Sequence, residues 1–266
     1  MASSTFVVCV RNAGYEASLD RGKRYRLLPD ADAAEHRQVR VIDESGEDYL
    51  YPQSCFSSAN EITICCADIG SIRKGRFGWA SLSTEPDARE SSGRDIRAFS
   101  DFVAERLRAG KRVALGFECP LWVPIADEPS ELTQARDGEG NRAFSASAGA
   151  TSLATGLTEV AWILLRIRQA SRDVDAFLRW SPFERAQSGL FLWEALVTGK
   201  AKTGSHESDA RAAVDAFLRA LPDPMSQNAL TPTSRTRSLI GAALLWSGWS
   251  KDIGLLNRPC VVIRGE

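Results

Sequence analysis

Histidine is almost missing from this chain: His36 and His206 are the only two in 266 residues. That excludes a histidine-built metal site or proton relay unless one of this pair supplies it. The six cysteines, Cys9, Cys55, Cys65, Cys66, Cys119 and Cys260, include no C-x-x-C spacing. A structural zinc site is therefore excluded, and reduced, buried thiols are expected. Net charge is also missing, at a formal -1, so the chain as a whole offers no electrostatic attraction to nucleic acid. The start MASSTFVVCVRNAG has neither a basic cluster nor a long apolar core, and no stretch reads as a membrane span. A cytoplasmic protein with no membrane association is expected.

What is abundant is apolar content, at 44%, enough for a sizeable core in one large domain or in a small domain joined to a larger one. Residues 1 to 57 read as short strands, TFVVCVRN, KRYRLLPD, QVRVIDES and DYLYPQSCF, separated by turn-rich pieces such as ESGED. This is the pattern of a small all-β barrel. After the polar SSANE joint, strands alternate with long helices, so residues 62 to 266 are expected to form an α/β layer structure.

In that second unit, ITICCADIG and RFGWASLST predict an antiparallel hairpin. RDIRAFSDFVAERLRAG predicts an amphipathic helix carrying Ile96, Phe99, Val103 and Leu107 on one face, with Gly110 past its end. RVALGFECP is the next strand, and a long polar stretch follows between Pro120 and Gly149. A second helix is predicted through SLATGLTEVAWILLRIRQA, with Leu153, Leu157, Val160, Leu164 and Ile167 as its core stripe. Then come the strand GLFLWEALVTG, the helix HESDARAAVDAFLRAL, the helix RSLIGAALLWSGWS and the terminal strand PCVVIR.

Three of these strands carry an acid where the apolar run stops: Asp68, Glu118 and Glu194. Carboxylates at strand ends sit at the rim of an open α/β sheet, where ligands bind. With Asp209, in the first turn of a helix capped by Ser205, they make a four-acid set. Such a cluster repels itself unless a hard cation such as Mg²⁺ or Mn²⁺ holds it together. Taken singly, each acid is also an ordinary turn residue, and Asp209 suits a helix N-terminus on dipole grounds alone. Two cations bridged by carboxylates can clamp the attacking water and the leaving oxygen of a phosphodiester.

The order ADIGSIRKGRFGWA, FECPLWVP, LWEAL, HESDARAAVDAFLRAL resembles that of RNase H-like domains, over roughly residues 62 to 265, and is most similar to a family of predicted RNase H-like nucleases. The resemblance implies a mixed sheet flanked by helices, with Asp68 as the metal-binding Asp of the first strand. It implies a hairpin strand at Gly78 and Trp79, an acid before an apolar-Pro turn at Glu118, Cys119 and Pro120, and a last acid at Asp209. Members of the resolvase type carry a His shortly before that last acid, which His206 resembles. Glu194 departs from the pattern, since no proline follows it closely, and Asp215 competes with Asp209. The N-terminal segment, through NAGYEASLDRGKRYRLLPD and VRVIDESGEDYLYP, resembles the small SH3-like barrel of many bacterial proteins, which implies docking to a protein partner.

The expected catalytic set is Asp68, Glu118, Asp209 and His206, and the expected metal ligands are Asp68, Glu118, Glu194 and Asp209, serving two Mg²⁺ or Mn²⁺ ions on a nucleic-acid substrate. Trp122 and Trp193 are candidate stacking faces for bases, with core packing as the alternative. Trp162 and Trp246 are expected in the core. Arg73, Lys74 and Arg76 after the first acidic strand, and Arg235 and Arg237 before a late helix, partly offset the missing charge, although such a run also reads as an ordinary solvated face; Arg142 is a candidate bidentate phosphate donor. Two other functions are open to the same residues. DIGSIRKG also resembles the phosphate hairpin of sugar kinases and actin-like ATPases, and the two units together would suit a non-catalytic scaffold.

Overall fold

The computed structural model describes residues 5–9, 11–20, 23–58, 62–84, 90–140, 143–197, 204–233 and 235–265. The first unit is a five-stranded antiparallel sheet: β1 (Thr5–Cys9), β2 (Arg24–Leu28), β3 (Gln38–Ile42), β4 (Asp48–Pro52) and β5 (Phe56–Ser58), with a short helix α1 (Ala31–Glu35) between β2 and β3. The strands lie in the order β4-β3-β2-β1-β5. They enclose their own apolar cluster of Val7, Cys9, Leu19, Tyr25, Val41, Tyr51, Cys55 and Phe56. Tyr51 also hydrogen-bonds Asp43 at the edge of this core.

The second unit is a seven-stranded mixed sheet. Strands β6 (Ile62–Asp68), β7 (Gly78–Ser83) and β8 (Ser91–Gly93) form an antiparallel run, each paired with the next. Helix α2 (Ile96–Arg108) then crosses to β9 (Arg112–Glu118), which lies parallel to β6. The chain continues through β10 (Trp122–Pro124) and the long α3 (Ser147–Ala170) to β11 (Ala176–Phe177), α4 (Trp180–Arg185) and β12 (Gly189–Val197). β12 is parallel to β9, as a helical crossover requires. Last come α5 (His206–Ala220), β13 (Thr236–Ser238), α6 (Leu239–Trp246) and β14 (Val262–Gly265). The sheet order is β11-β12-β9-β6-β7-β8, with β14 also on β12; β10 and β13 form a separate pair.

β6 is buried along its whole length and β9 along nearly all of it, because helices cover both faces, the usual state of parallel strands. Side-chain alternation assigns each residue to a face. Cys65, Ala67, Val113, Leu115, Phe117, Leu190 and Leu192 pack in the cluster that contains residues of α2, α3 and α6. Ile64, Cys66, Ala114, Phe191, Trp193 and Ala195 pack in the cluster that contains residues of α4 and α5. This parity decides which acids can meet.

Two helices differ from expectation. α3 begins at Ser147, inside the stretch expected to be loop, and buries Gly156, Val160, Ile163, Leu164 and Ile167, while Leu157 is exposed. It is the one described helix long and apolar enough to cross a membrane by length and composition. α6 is shorter than its apolar run, and Trp246, expected in the core, is its last residue and 66% exposed.

Candidate metal centre

β6 and β9 are in register, with Asp68 opposite Glu118, so both carboxylates leave the sheet on the α5 side. α5 brings the third. Ser205 caps it by accepting the Ser208 amide at 3.2 Å, and Asp209 sits one turn in, on the buried face with Ala210, Ala213 and Val214. One carboxylate oxygen from each of Asp68, Glu118 and Asp209 lies within 4.8 Å of the others. Asp68 and Asp209 are each only 6% exposed. Three carboxylates at this spacing form an all-oxygen donor set that could hold a metal ion, and hard cations such as Mg²⁺ or Mn²⁺ prefer such a set.

His206, the first residue of α5, reaches Asp68: Nδ1 lies 2.5 Å from Oδ2. An ionised carboxylate only accepts, so Nδ1 carries the proton in this contact. The approach depends on Gly78, the partner of Asp68 across the hairpin. A Cβ there would fall 2.4 Å from the His206 carbonyl carbon. Gly70, two residues past Asp68, is required by the chain itself, since a Cβ would lie 2.2 Å from the Arg76 carbonyl oxygen.

The structure does not bring Glu194 to this cluster. It pairs with Phe117, one residue short of Glu118, so it points to the opposite face, and β12 continues three residues beyond it to Val197. There Arg136 donates to both of its oxygens, at 2.6 and 2.9 Å, and the Leu121 amide adds a third bond at 2.8 Å. Arg136 also donates to Glu139 at 2.8 Å and to the Trp122 carbonyl at 3.2 Å, and its guanidinium lies over the Trp122 ring. Arg136, Glu139 and Glu194 are all buried. This network anchors the long segment after β10, the work the acid does in place of metal binding. Burial pushes the Glu194 carboxyl up, against the pull of Arg136 and Leu121.

Asp215, the competitor of Asp209, instead accepts from Arg211 at 2.9 Å within α5. Trp122 and Trp193 are fully buried and offer no face to a base. Trp193 covers Gly116, where a Cβ would lie 2.3 Å from its ring. Trp162 is partly buried, between Arg97 and Arg166. Arg142 lies outside the described residues. Arg235 pairs with Asp127 at 2.6 Å, whereas Arg73, Lys74 and Arg76 are exposed on the turn between β6 and β7. All six cysteines are buried, and none forms a disulfide among the described residues.

One residue at this rim was missed from the sequence. Glu159 on α3 is partly buried, and its Oε2 is buried with no hydrogen-bond partner among the described residues. Its pKa is pushed up to about 7, by burial first and then by the charge of Asp68, against the pull of the nearby Gly70 amide. A signal was available: Glu159 is the only charged residue between Arg142 and Arg166. No protein-family model, no curated protein and no solved structure matches this chain.

Proposed function

We propose that the protein is a metal-dependent phosphodiester hydrolase that acts on nucleic acid, built as an RNase H-like α/β unit behind an SH3-like barrel. The observation that carries this reading is the Asp68, Glu118 and Asp209 cluster, assembled from two adjacent parallel strands and one helix. The order of elements adds support. An antiparallel β6-β7-β8 run precedes parallel β9 and β12, and the last acid comes from a late helix, the sequence of parts that the family resemblance implies.

Divalent cations held there would supply charge neutralisation for the phosphate, the attacking water and the leaving oxygen. Asp68, Glu118 and Asp209 are the residues that would hold them. His206 orients Asp68 and can hold a proton at Nδ1 beside it. The exposed cations of the β6–β7 turn, Arg73, Lys74 and Arg76, follow directly on Asp68 and suit the phosphate backbone of a substrate. The near-neutral chain supplies no wider field, so binding should be weak and steeply salt-dependent. That same neutrality favours a second reading, in which the two units form a scaffold and the N-terminal sheet docks a protein partner. A cytoplasmic location suits either.

The test is incubation of the purified chain with labelled single-stranded, duplex and branched DNA and RNA, with Mn²⁺ or with chelator. Cleavage in Mn²⁺ that disappears in chelator and in Glu118→Gln supports hydrolysis by this site. Cleavage that survives either treatment overturns it, and no cleavage of any substrate favours the scaffold.

A further inference from the structure

The register that sets Asp68 opposite Glu118 on one side and Gly78 on the other runs on into β8. Gly93, the last residue of β8, pairs with Trp79, so Arg94 leaves the sheet beside Gly78, two strands from Asp68 and about 10 Å away by strand spacing. Residues opposite one another in a ladder share a face, and Arg94 accordingly meets α5: its Nε donates to the carboxylate of Glu207. Glu207 directly follows His206, and its amide nitrogen is one of the atoms packed on Gly78. The ion pair is open to water, with the Arg94 side chain 60% exposed. Arg211, further along α5, is instead held by two acids, Glu90 and Asp215.

A nucleic-acid strand that reaches Asp68, Glu118 and Asp209 meets three carboxylates, with Glu207 as a fourth nearby, on a chain of formal charge -1. A cation beside them would offset that repulsion. Arg94 stands in their row, and an exposed ion pair contributes little to stability, so its guanidinium can pass from a carboxylate to a phosphate, which its planar fork fits as well. Glu207 tolerates the loss. It lies in the first turn of α5, where the helix dipole favours a negative charge without a partner. We propose that Arg94 is a substrate contact: it leaves Glu207 for a phosphate on the β8 side of the bond to be cleaved, and Glu207 occupies that phosphate's place in the free protein. This rests on the reading of the chain as a nuclease. It makes substrate binding a competition between two anions for one guanidinium.

The experiment is fluorescence anisotropy of labelled single-stranded and duplex DNA and RNA on the full chain, with Ca²⁺ in place of Mn²⁺ to slow hydrolysis and over a range of salt, with Mn²⁺ titration of the same variants. Arg94→Gln should weaken binding severalfold and lower the salt slope by one phosphate contact, roughly 0.7–0.9. Glu207→Gln should bind as tightly as the wild type or more tightly, because it frees Arg94. Mn²⁺ affinity should hold in both. The opposite signs carry the test: if the pair only braced α5, both substitutions would break it alike, so equal losses of probe or Mn²⁺ binding in the two variants would overturn the inference. Wild-type probe binding that Arg94→Gln leaves intact, with its salt slope, would overturn it alone. A wild type that binds none of the probes would overturn it together with the nuclease reading.

Discussion

Gly78 and His206 are in backbone contact: the space where a Cβ would stand on Gly78 is already filled by the His206 carbonyl carbon, 2.4 Å away, and by the Glu207 amide nitrogen, 2.6 Å away. Since Gly78 is also paired with Asp68, one missing side chain sets how closely the start of α5 approaches the acid cluster. Gly78→Ala should therefore push α5 outward. The expected cost is about 1–3 kcal/mol of stability, as for other overpacked sites, together with weaker Mn²⁺ binding, because Asp209 and His206 both ride on α5. Denaturant unfolding and Mn²⁺ titration of the same variant check both parts. A loss of stability with unchanged Mn²⁺ affinity would separate the helix position from the site.

Asp68 meets Glu118 across the β6–β9 register, Asp209 from α5 and His206 at 2.5 Å. Asp68→Asn removes one charge from a crowded set. Mn²⁺ binding should be lost, while thermal stability in chelator should hold or rise as repulsion falls. In the wild type, Mn²⁺ should raise the melting temperature, and the rise should grow with the logarithm of Mn²⁺ concentration above the dissociation constant. An Asp68→Asn protein that still gains thermal stability from Mn²⁺ would exclude Asp68 as a ligand.

His206→Ala tests the orienting role of the imidazole. Partners that hydrogen-bond a metal ligand typically contribute about 10- to 100-fold in affinity, and a loss in that range is expected. His206→Asn, which can still donate, should recover part of it. Equal Mn²⁺ affinity in wild type and His206→Ala would leave His206 as a surface residue of the α5 start.

Much of this site was legible in the sequence. The strand ends at Asp68 and Glu118, the Ser205 cap and the first-turn Asp209 follow from local patterns, and the two strand acids fall on one face because the parallel register pairs them. Glu194 was misplaced because an apolar run shows that a strand exists but not its register, and a slip of one residue reverses the face. Its partner Arg136 sits in a segment with no period, so nothing local announced the pairing. Glu159 was hidden because helical periodicity in α3 counts apolar positions and passes over a single acid among them. Trp246 was misassigned because α6 stops after eight residues, before its apolar run is used up.

The Arg136 network gives a contrast between stability and metal binding. Arg136→Met leaves Glu139 and Glu194 buried without their cation, which should cost about 3–5 kcal/mol. Glu194→Gln added to that variant should restore part of the loss by removing one buried charge. Because Glu194 faces away from the Asp68, Glu118 and Asp209 cluster, Glu194→Gln alone should lower the urea midpoint and leave Mn²⁺ affinity unchanged. If Glu194→Gln weakened Mn²⁺ binding as strongly as Glu118→Gln, the network would have to be part of the centre.

Glu159 should make metal-free stability depend on pH in a definite direction. Its pKa in the folded protein is raised to about 7 from an ordinary 4.5, so across that interval the folded state holds more protons than the unfolded state. Stability contributed by protonated Glu159 is fully present below about 4.5 and is lost as pH rises through about 7, the sign required when the native state binds the extra proton. Glu159→Gln cannot ionise and lacks this loss. Urea unfolding in chelator at pH 5 and pH 8 should show the wild type losing stability relative to Glu159→Gln over that span. With saturating Mn²⁺ the wild type should lose less, since a bound cation favours the ionised carboxylate. A difference between wild type and variant that stays constant from pH 5 to pH 8 in chelator would mean that Glu159 is ionised throughout, and that burial beside Asp68 does not hold its proton.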